Sequence, residues 1–213
     1  MLAVAHRAGN DLAVLQEAAE LGADVIEADV HLHRNRLEVR HEKSLGPLPW
    51  LWDKWELYPA SQERLMLDHL LDALPLGQTV MLDLKGVGQV GPRTLGHLQE
   101  RSVEHPLLVC ARWWPSALAF RDAPWARVLL SARGRTEIAR LRRHLRTSPP
   151  PYGVSLHLSM LTPGLVDEIQ ARGTLVLSWP VDDTAALTRA QALGIDRSEE
   201  HTSELQSHSN ISY

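Results

Sequence analysis

Glu27 and Asp29 stand two residues apart in an apolar, β-branched run, Val25 to Val30. Side chains alternate faces along a strand, so that spacing points both carboxylates the same way. A short polar loop, His33-Arg34-Asn35-Arg36, follows, and then a second alternating run from Leu37 to His41. The pattern predicts a β-hairpin whose return strand carries His41 back towards the carboxylates. Two carboxylates and a histidine converging at a strand end suit a metal ion and a general acid. The competing reading is a strand with a solvated acidic face.

The elements that must position these residues are legible along the chain. An apolar strand, Leu2 to Ala5, leads directly into His6-Arg7. Residues 10–22 read as a helix capped by Asn10 or Asp11 and stopped at Gly22. Residues 45–60 form a Pro- and Trp-rich connection, expected to be a lid or a loop packed on Trp50, Trp52 and Trp55. Further strands are expected near 80–84, 107–111, 127–131, 153–158 and 174–179. Helices are expected near 63–74, 91–104, 115–122, 135–146, 163–172 and 183–193. Short apolar strands alternating with helices imply repeated βαβ units and a parallel sheet. Seven strands, with an eighth due after Gly194-Ile195-Asp196, read as an α/β chain folded as a (β/α)8 TIM barrel. A doubly wound sheet is the alternative, but no GxGxxG follows the first strand.

From Arg197 the text changes to RSEEHTSELQSHSNISY, without apolar periodicity. It reads as one frame of a sequencing-library adapter. The expectation is therefore a barrel over 1–196, truncated in its last βα unit, and a non-native tail over 197–213. A missing eighth strand would leave two open sheet edges and a chain that folds poorly. The 213 residues carry a formal net charge of -4 and no basic block, which gives no support for nucleic-acid binding. The arginine-rich stretch from Arg133 to Arg146 reads as the solvated face of an outer helix. No apolar run is long enough for an integral membrane segment, no signal peptide is visible, and a lone Cys110 suits a reducing, cytoplasmic setting.

Barrels of this kind carry their active sites at the C-terminal strand ends. Those ends hold His6-Arg7, Glu27 and Asp29, Asp83 and Lys85, His157, and Trp179, with His41 returned by the hairpin. In order along the chain, His6-Arg7, Glu27-Ala28-Asp29, His41-Glu42, Asp83-Leu84-Lys85 and Trp179-Pro180-Val181-Asp182 resemble the motifs of the glycerophosphodiester phosphodiesterases. The departures are a missing Pro-Glu-Asn-Thr segment before the first helix, Ala8 where glycine is usual, Glu42 for Asp, and Asp83 for a longer Glu. The resemblance implies a barrel of the phospholipase C-like phosphodiesterase type. It also implies hydrolysis of a small-molecule glycerophosphodiester to glycerol 3-phosphate and an alcohol.

The chemistry of the side chains agrees with that reading. Glu27, Asp29 and Asp83 are hard oxygen ligands suited to Ca2+ or Mg2+. Arg7 and Lys85 can pair with a phosphate. His6 and His41 suit a general base and a general acid, because histidine exists in both protonation states near neutral pH. Trp179 would wall the glycerol, and His157 would contact substrate or simply pack at the rim. Two rival functions are a non-catalytic barrel that binds a phosphorylated ligand, and an amidohydrolase that holds a transition metal through His31 and His33. Toxin-like phospholipase D relatives, which carry disulfides, are disfavoured by the single cysteine.

Overall fold

The computed structural model describes residues 2–45, 48–53, 55–59, 64–181 and 183–200. The first half comprises β1 (Leu2–Ala5), α1 (Leu12–Glu20), β2 (Val25–His33), β3 (Arg36–Val39), β4 (Lys43–Ser44), β5 (Trp50–Asp53), β6 (Glu56–Pro59), β7 (Leu65–Met66) and α2 (Leu67–Ala73). The second comprises β8 (Thr79–Lys85), α3 (Val90–Arg101), β9 (Leu107–Ala111), α4 (Trp114–Leu118), β10 (Ala126–Ala132), α5 (Arg135–Thr147), β11 (Gly153–His157), α6 (Pro163–Gln170), β12 (Leu175–Trp179), α7 (Thr184–Ala192) and β13 (Arg197–Glu200).

Eight parallel strands run in the order β1, β2, β8, β9, β10, β11, β12, β13, and β13 pairs back onto β1, so the sheet closes. Strand alternation divides the core in two. Val4, Val25, Met81, Leu108, Cys110, Leu129 and Leu177 form a cluster of their own, filling the barrel interior. The larger cluster joins the outer strand faces to the helices. Buried positions recur at helical spacing, as at Ile138, Leu141 and Leu145 of α5. Local signals set the helix starts: Asp11 caps α1 by accepting from the amides of Ala13 at 2.8 Å and Val14 at 3.2 Å.

The predicted hairpin is present. His33 faces Arg36, and the two turn residues, Arg34 and Asn35, have φ of 46° and 67°. Both lie in the left-handed region that a two-residue hairpin turn requires, and Asn tolerates it well.

The following connection differs from the expectation. Instead of an irregular loop, β4, β5 and β6 form a three-stranded antiparallel sheet. Leu51 is its buried anchor, whereas Trp50, Trp52 and Trp55 are exposed.

The eighth stave is a correction. The expected gap is filled by Arg197–Glu200, which aligns with β1 from Leu2↔Arg197 and with β12 at Leu177↔Arg197. Parallel ladders are built from main-chain groups, so an extended segment can complete one without an apolar pattern. The fit is polar: Ser198 is buried beside Ser178, whose Oγ has no hydrogen-bond partner. Residues 201–213 lie outside the described residues.

Candidate active site

The β2 carboxylates point into the barrel mouth above the apolar interior. Asp29 lies level with Asp83 of β8, and His31 with Lys85. Equal register on neighbouring parallel strands places side chains on one face, so two separate sequence motifs become one cluster. Ligand oxygens of Glu27, Asp29 and Asp83 all lie within 4.8 Å of one another.

Each acid is held differently. Glu27 Oε2 accepts from the Arg7 amide at 2.6 Å and lies 3.3 Å from His6 Nδ1. Arg7 itself has φ of 58°, which folds the chain sharply after β1. Gly9 then passes so close to β2 that a Cβ there would lie 2.7 Å from the Ala28 Cβ. Asp29 is clamped by Asn10: the Asn10 amide donates to Oδ2 at 2.8 Å, and the Asp29 backbone N–H donates to Asn10 Oδ1 at 2.8 Å. Lys85 Nζ lies 2.7 Å from Asp29 Oδ1 and pairs closely with Asp83.

The electrostatics follow from burial and neighbours. Burial, with Asp29 adding to it, pushes the Glu27 carboxyl up to about 8. Asp29 is equally buried, but Lys85, Asn10 and Arg7 outweigh that burial and hold it below its usual range. Lys85 is raised well above its ordinary value, since Asp83, Asp29 and Glu27 together overcome its own desolvation. Three close carboxylates with one kept protonated form a site short of positive charge. That donor set of hard oxygens fits a divalent cation.

His41 reaches the same cavity from the return strand, where Arg40 N–H donates to the Asp29 carbonyl at 3.0 Å. Its Nδ1 lies 2.8 Å from Asp53 Oδ2 on β5. The adjacent Glu42 turns away to Arg64, 3.1 Å from its guanidinium. His6, Arg7, Lys85 and Trp179 also line this cavity, whose volume is about 590 Å3. His157 does not line it. It packs edge-on to Trp179 with ring centroids 5.0 Å apart, and its Nδ1 lies 2.8 Å from Ser159 Oγ. His31 lines the cavity and is driven down to about 3 by burial and by Arg40, so it is neutral. Among the described residues no histidine joins the carboxylate group as a metal ligand set. A second groove, about 560 Å3, lies outside the barrel between the hairpin, α2 and α3, and holds none of the candidate catalytic, metal or phosphate-binding residues.

Four residues of the cavity or its support were invisible in the sequence reading. Asn10 looked like a cap, yet it holds Asp29. Asp53 belongs to a sheet whose register no periodicity announced. Arg112 and Arg133 line the cavity from the ends of β9 and β10, and Arg133 therefore does not belong to the solvated helix face assigned to it. The signal for the last two was position alone, directly after an apolar strand.

A closed (β/α)8 barrel carries its active site at the C-terminal strand ends, and the acidic cluster lies there. No family model matches the sequence, and no curated protein matches it. Solved structures do. A phosphodiesterase from Oleispira antarctica, in complex with the product sn-glycerol-3-phosphate, superposes with a TM-score of 0.75 at 20% identity, covering 99% of this chain and 97% of that one. A glycerophosphodiester phosphodiesterase from Thermotoga maritima gives a TM-score of 0.77 at 15% identity, covering 99% and 98%. One from Parabacteroides distasonis gives 0.69 at 19% identity, covering 98% and 97%. The chain has the fold of the glycerophosphodiester phosphodiesterases.

Proposed function

We propose that this protein is a metal-dependent glycerophosphodiester phosphodiesterase, releasing glycerol 3-phosphate and an alcohol. The observation that carries the reading is the convergence of Glu27, Asp29 and Asp83 with His6, His41, Arg7 and Lys85 at one cavity, on this fold.

Glu27, Asp29 and Asp83 are the residues that would hold the ion, and Ca2+ or Mg2+ is the choice their oxygens favour. Such an ion supplies charge neutralisation at the phosphoryl oxygens. The side chains do the rest. Arg7 and Lys85 bind and orient the phosphodiester. His6, held against Glu27, takes the proton from the attacking hydroxyl, either of water or of the substrate's own glycerol. His41 delivers a proton to the leaving oxygen, with Asp53 fixing its ring through Nδ1 so that Nε2 faces the chemistry. Trp179 forms the wall for the glycerol, and His157 backs that wall.

A barrel that binds a phosphorylated ligand without cleaving it has no use for an oriented histidine–aspartate pair, and the His41–Asp53 contact favours catalysis. No helix among the described residues is long and apolar enough to cross a membrane. The single, buried Cys110 suits a reducing cytoplasm, which we take as the setting.

The test is release of glycerol 3-phosphate from glycerophosphocholine and glycerophosphoethanolamine with Ca2+, with Mg2+ and with chelator, beside His41→Ala. Metal-dependent release that His41→Ala abolishes is expected. A folded, metal-loaded protein that cleaves no glycerophosphodiester would overturn the proposal.

A further inference from the structure

The catalytic reading uses one half of the barrel mouth. His6 and Arg7 follow β1, the acids sit on β2 and β8, and Lys85 ends β8. In the closed order β9 and β10 are the fourth and fifth staves, so β10 stands opposite β1. The residues that follow these two strands into the same cavity are Arg112 and Arg133.

We propose that Arg112 and Arg133 form a second anion subsite, which selects glycerophosphodiesters whose leaving alcohol carries its own phosphate. The inference rests on the phosphodiesterase reading for the first subsite and adds the identity of the leaving group.

Charge accounting leads there. With a divalent ion held by the three carboxylates, Arg7, Lys85 and that ion would balance the carboxylates and one phosphodiester. Neither Arg112 nor Arg133 is needed for them. Arg112 is held at the rim by a single 2.8 Å contact from its Nε to Glu137 Oε1. Glu137 is a fixed post, because its other oxygen accepts from the backbone amides of Arg133 at 2.6 Å and Gly134 at 3.1 Å. That engagement uses the inner nitrogen of the guanidinium and leaves its terminal fork to face an anion. Arg133 has no carboxylate paired with its side chain among the described residues.

Beneath and beyond Arg133 the lining is polar, with Ser131 on β10 and Ser155 on β11. Among the described residues no acidic side chain lines that half of the cavity, and Glu137, paired with Arg112 at the rim, offsets one of the two charges, so a cationic headgroup such as choline meets a wall that is still net positive through Arg133. A phosphate there meets the Arg133 guanidinium and the terminal fork of Arg112. The charge of Arg133 is also felt beside the cavity: His157, which backs Trp179, is depressed first by burial and then by Arg133.

The experiment compares two substrates that differ only in the remote phosphate, glycerophosphoinositol and glycerophosphoinositol 4-phosphate, with glycerophosphocholine as the cationic arm. The expected result is a kcat/KM at least tenfold higher for the phosphorylated substrate at low salt, an advantage that shrinks as ionic strength rises. Arg133→Gln and Arg112→Gln should each remove most of that advantage, while lowering the rate on glycerophosphoinositol far less. Arg133→Glu should shift preference towards glycerophosphocholine. Equal kcat/KM for the inositol pair, or an advantage that survives both glutamine variants, overturns the subsite. Absence of turnover on every diester overturns the phosphodiesterase reading instead. In that case calorimetric affinities for the same inositol pair, wild type against Arg133→Gln, decide the subsite on their own: no difference refutes it.

Discussion

Replacing Asn10 with alanine attacks the site at its least obvious support. The side chain makes two contacts with Asp29, each of 2.8 Å, and Asp29 is fully buried. Loss of Oδ1 strands the Asp29 backbone N–H away from water, which costs about 1–3 kcal/mol. Loss of the amide donor removes a hydrogen bond to an ionised carboxylate, about 1.5–3 kcal/mol more. Water admitted by the smaller side chain recovers part of this, so a net destabilisation of about 3 kcal/mol is expected. Against a typical stability of about 5–15 kcal/mol, that shift is large and easily measured. The assay is urea unfolding followed by circular dichroism, in chelator, for wild type, Asn10→Ala and Asn10→Asp. The aspartate variant keeps the acceptor for the amide but sets a second carboxylate beside Asp29, so it should be the least stable at neutral pH and regain stability on acidification. Destabilisation of less than about 1 kcal/mol in both variants would mean that Asp29 is held by Lys85 and the strand alone.

Three further outcomes are expected. In chelator the metal-free protein should lose about 1 kcal/mol of stability between about pH 7 and 9, because folded Glu27 keeps a proton up to about 8 that its unfolded form has shed. His31 is neutral in both states over that range and does not mask the slope, whereas Glu27→Gln should flatten it; an unchanged slope in that variant refutes the assignment. Asp53→Asn should lower turnover about 100-fold on substrates with an alkyl leaving group, and only a few-fold on p-nitrophenyl diesters, whose leaving group needs no proton. Equal losses on both classes would exclude a role through His41. A chain ending at Asp196 should aggregate, since it bares β1 and β12, and a cooperative, monomeric melt of that chain would show that β13 is dispensable.

The parts of the structure legible in the sequence were those set by short-range periodicity. The seven strands from β1 to β12 that line the barrel, the helices and the β2–β3 hairpin follow from apolar spacing, caps and glycine stops. Glu27 and Asp29 could be paired because both sit on one strand, and the barrel rule brought Asp83 and Lys85 to them. What stayed hidden depends on register between distant segments. Nothing local says that Asn10 will face Asp29 rather than cap α1, or that Asp53 will fold back onto His41. The β4–β6 sheet lacks a clean alternation, since Leu51 alone anchors it. β13 was missed for the opposite reason: its sequence is wrong for a barrel strand, and main-chain pairing accepts it regardless.

The His41–Asp53 pair lies off the barrel staves. Its two members come from the chain's excursion between β2 and α2, while the acids, Lys85 and Arg7 belong to the staves and the turns that follow them. In the proposed mechanism, recognition of phosphate and delivery of the proton are therefore written in separable stretches of chain. A descendant that shortened or rewrote the excursion would keep a phosphate receptor and lose the scissors. One that kept the excursion and altered the rims of β9 and β10 would keep the scissors and change what they cut. Under that mechanism the fold offers two independent dials, one for whether a bound diester is broken and one for which diester is bound.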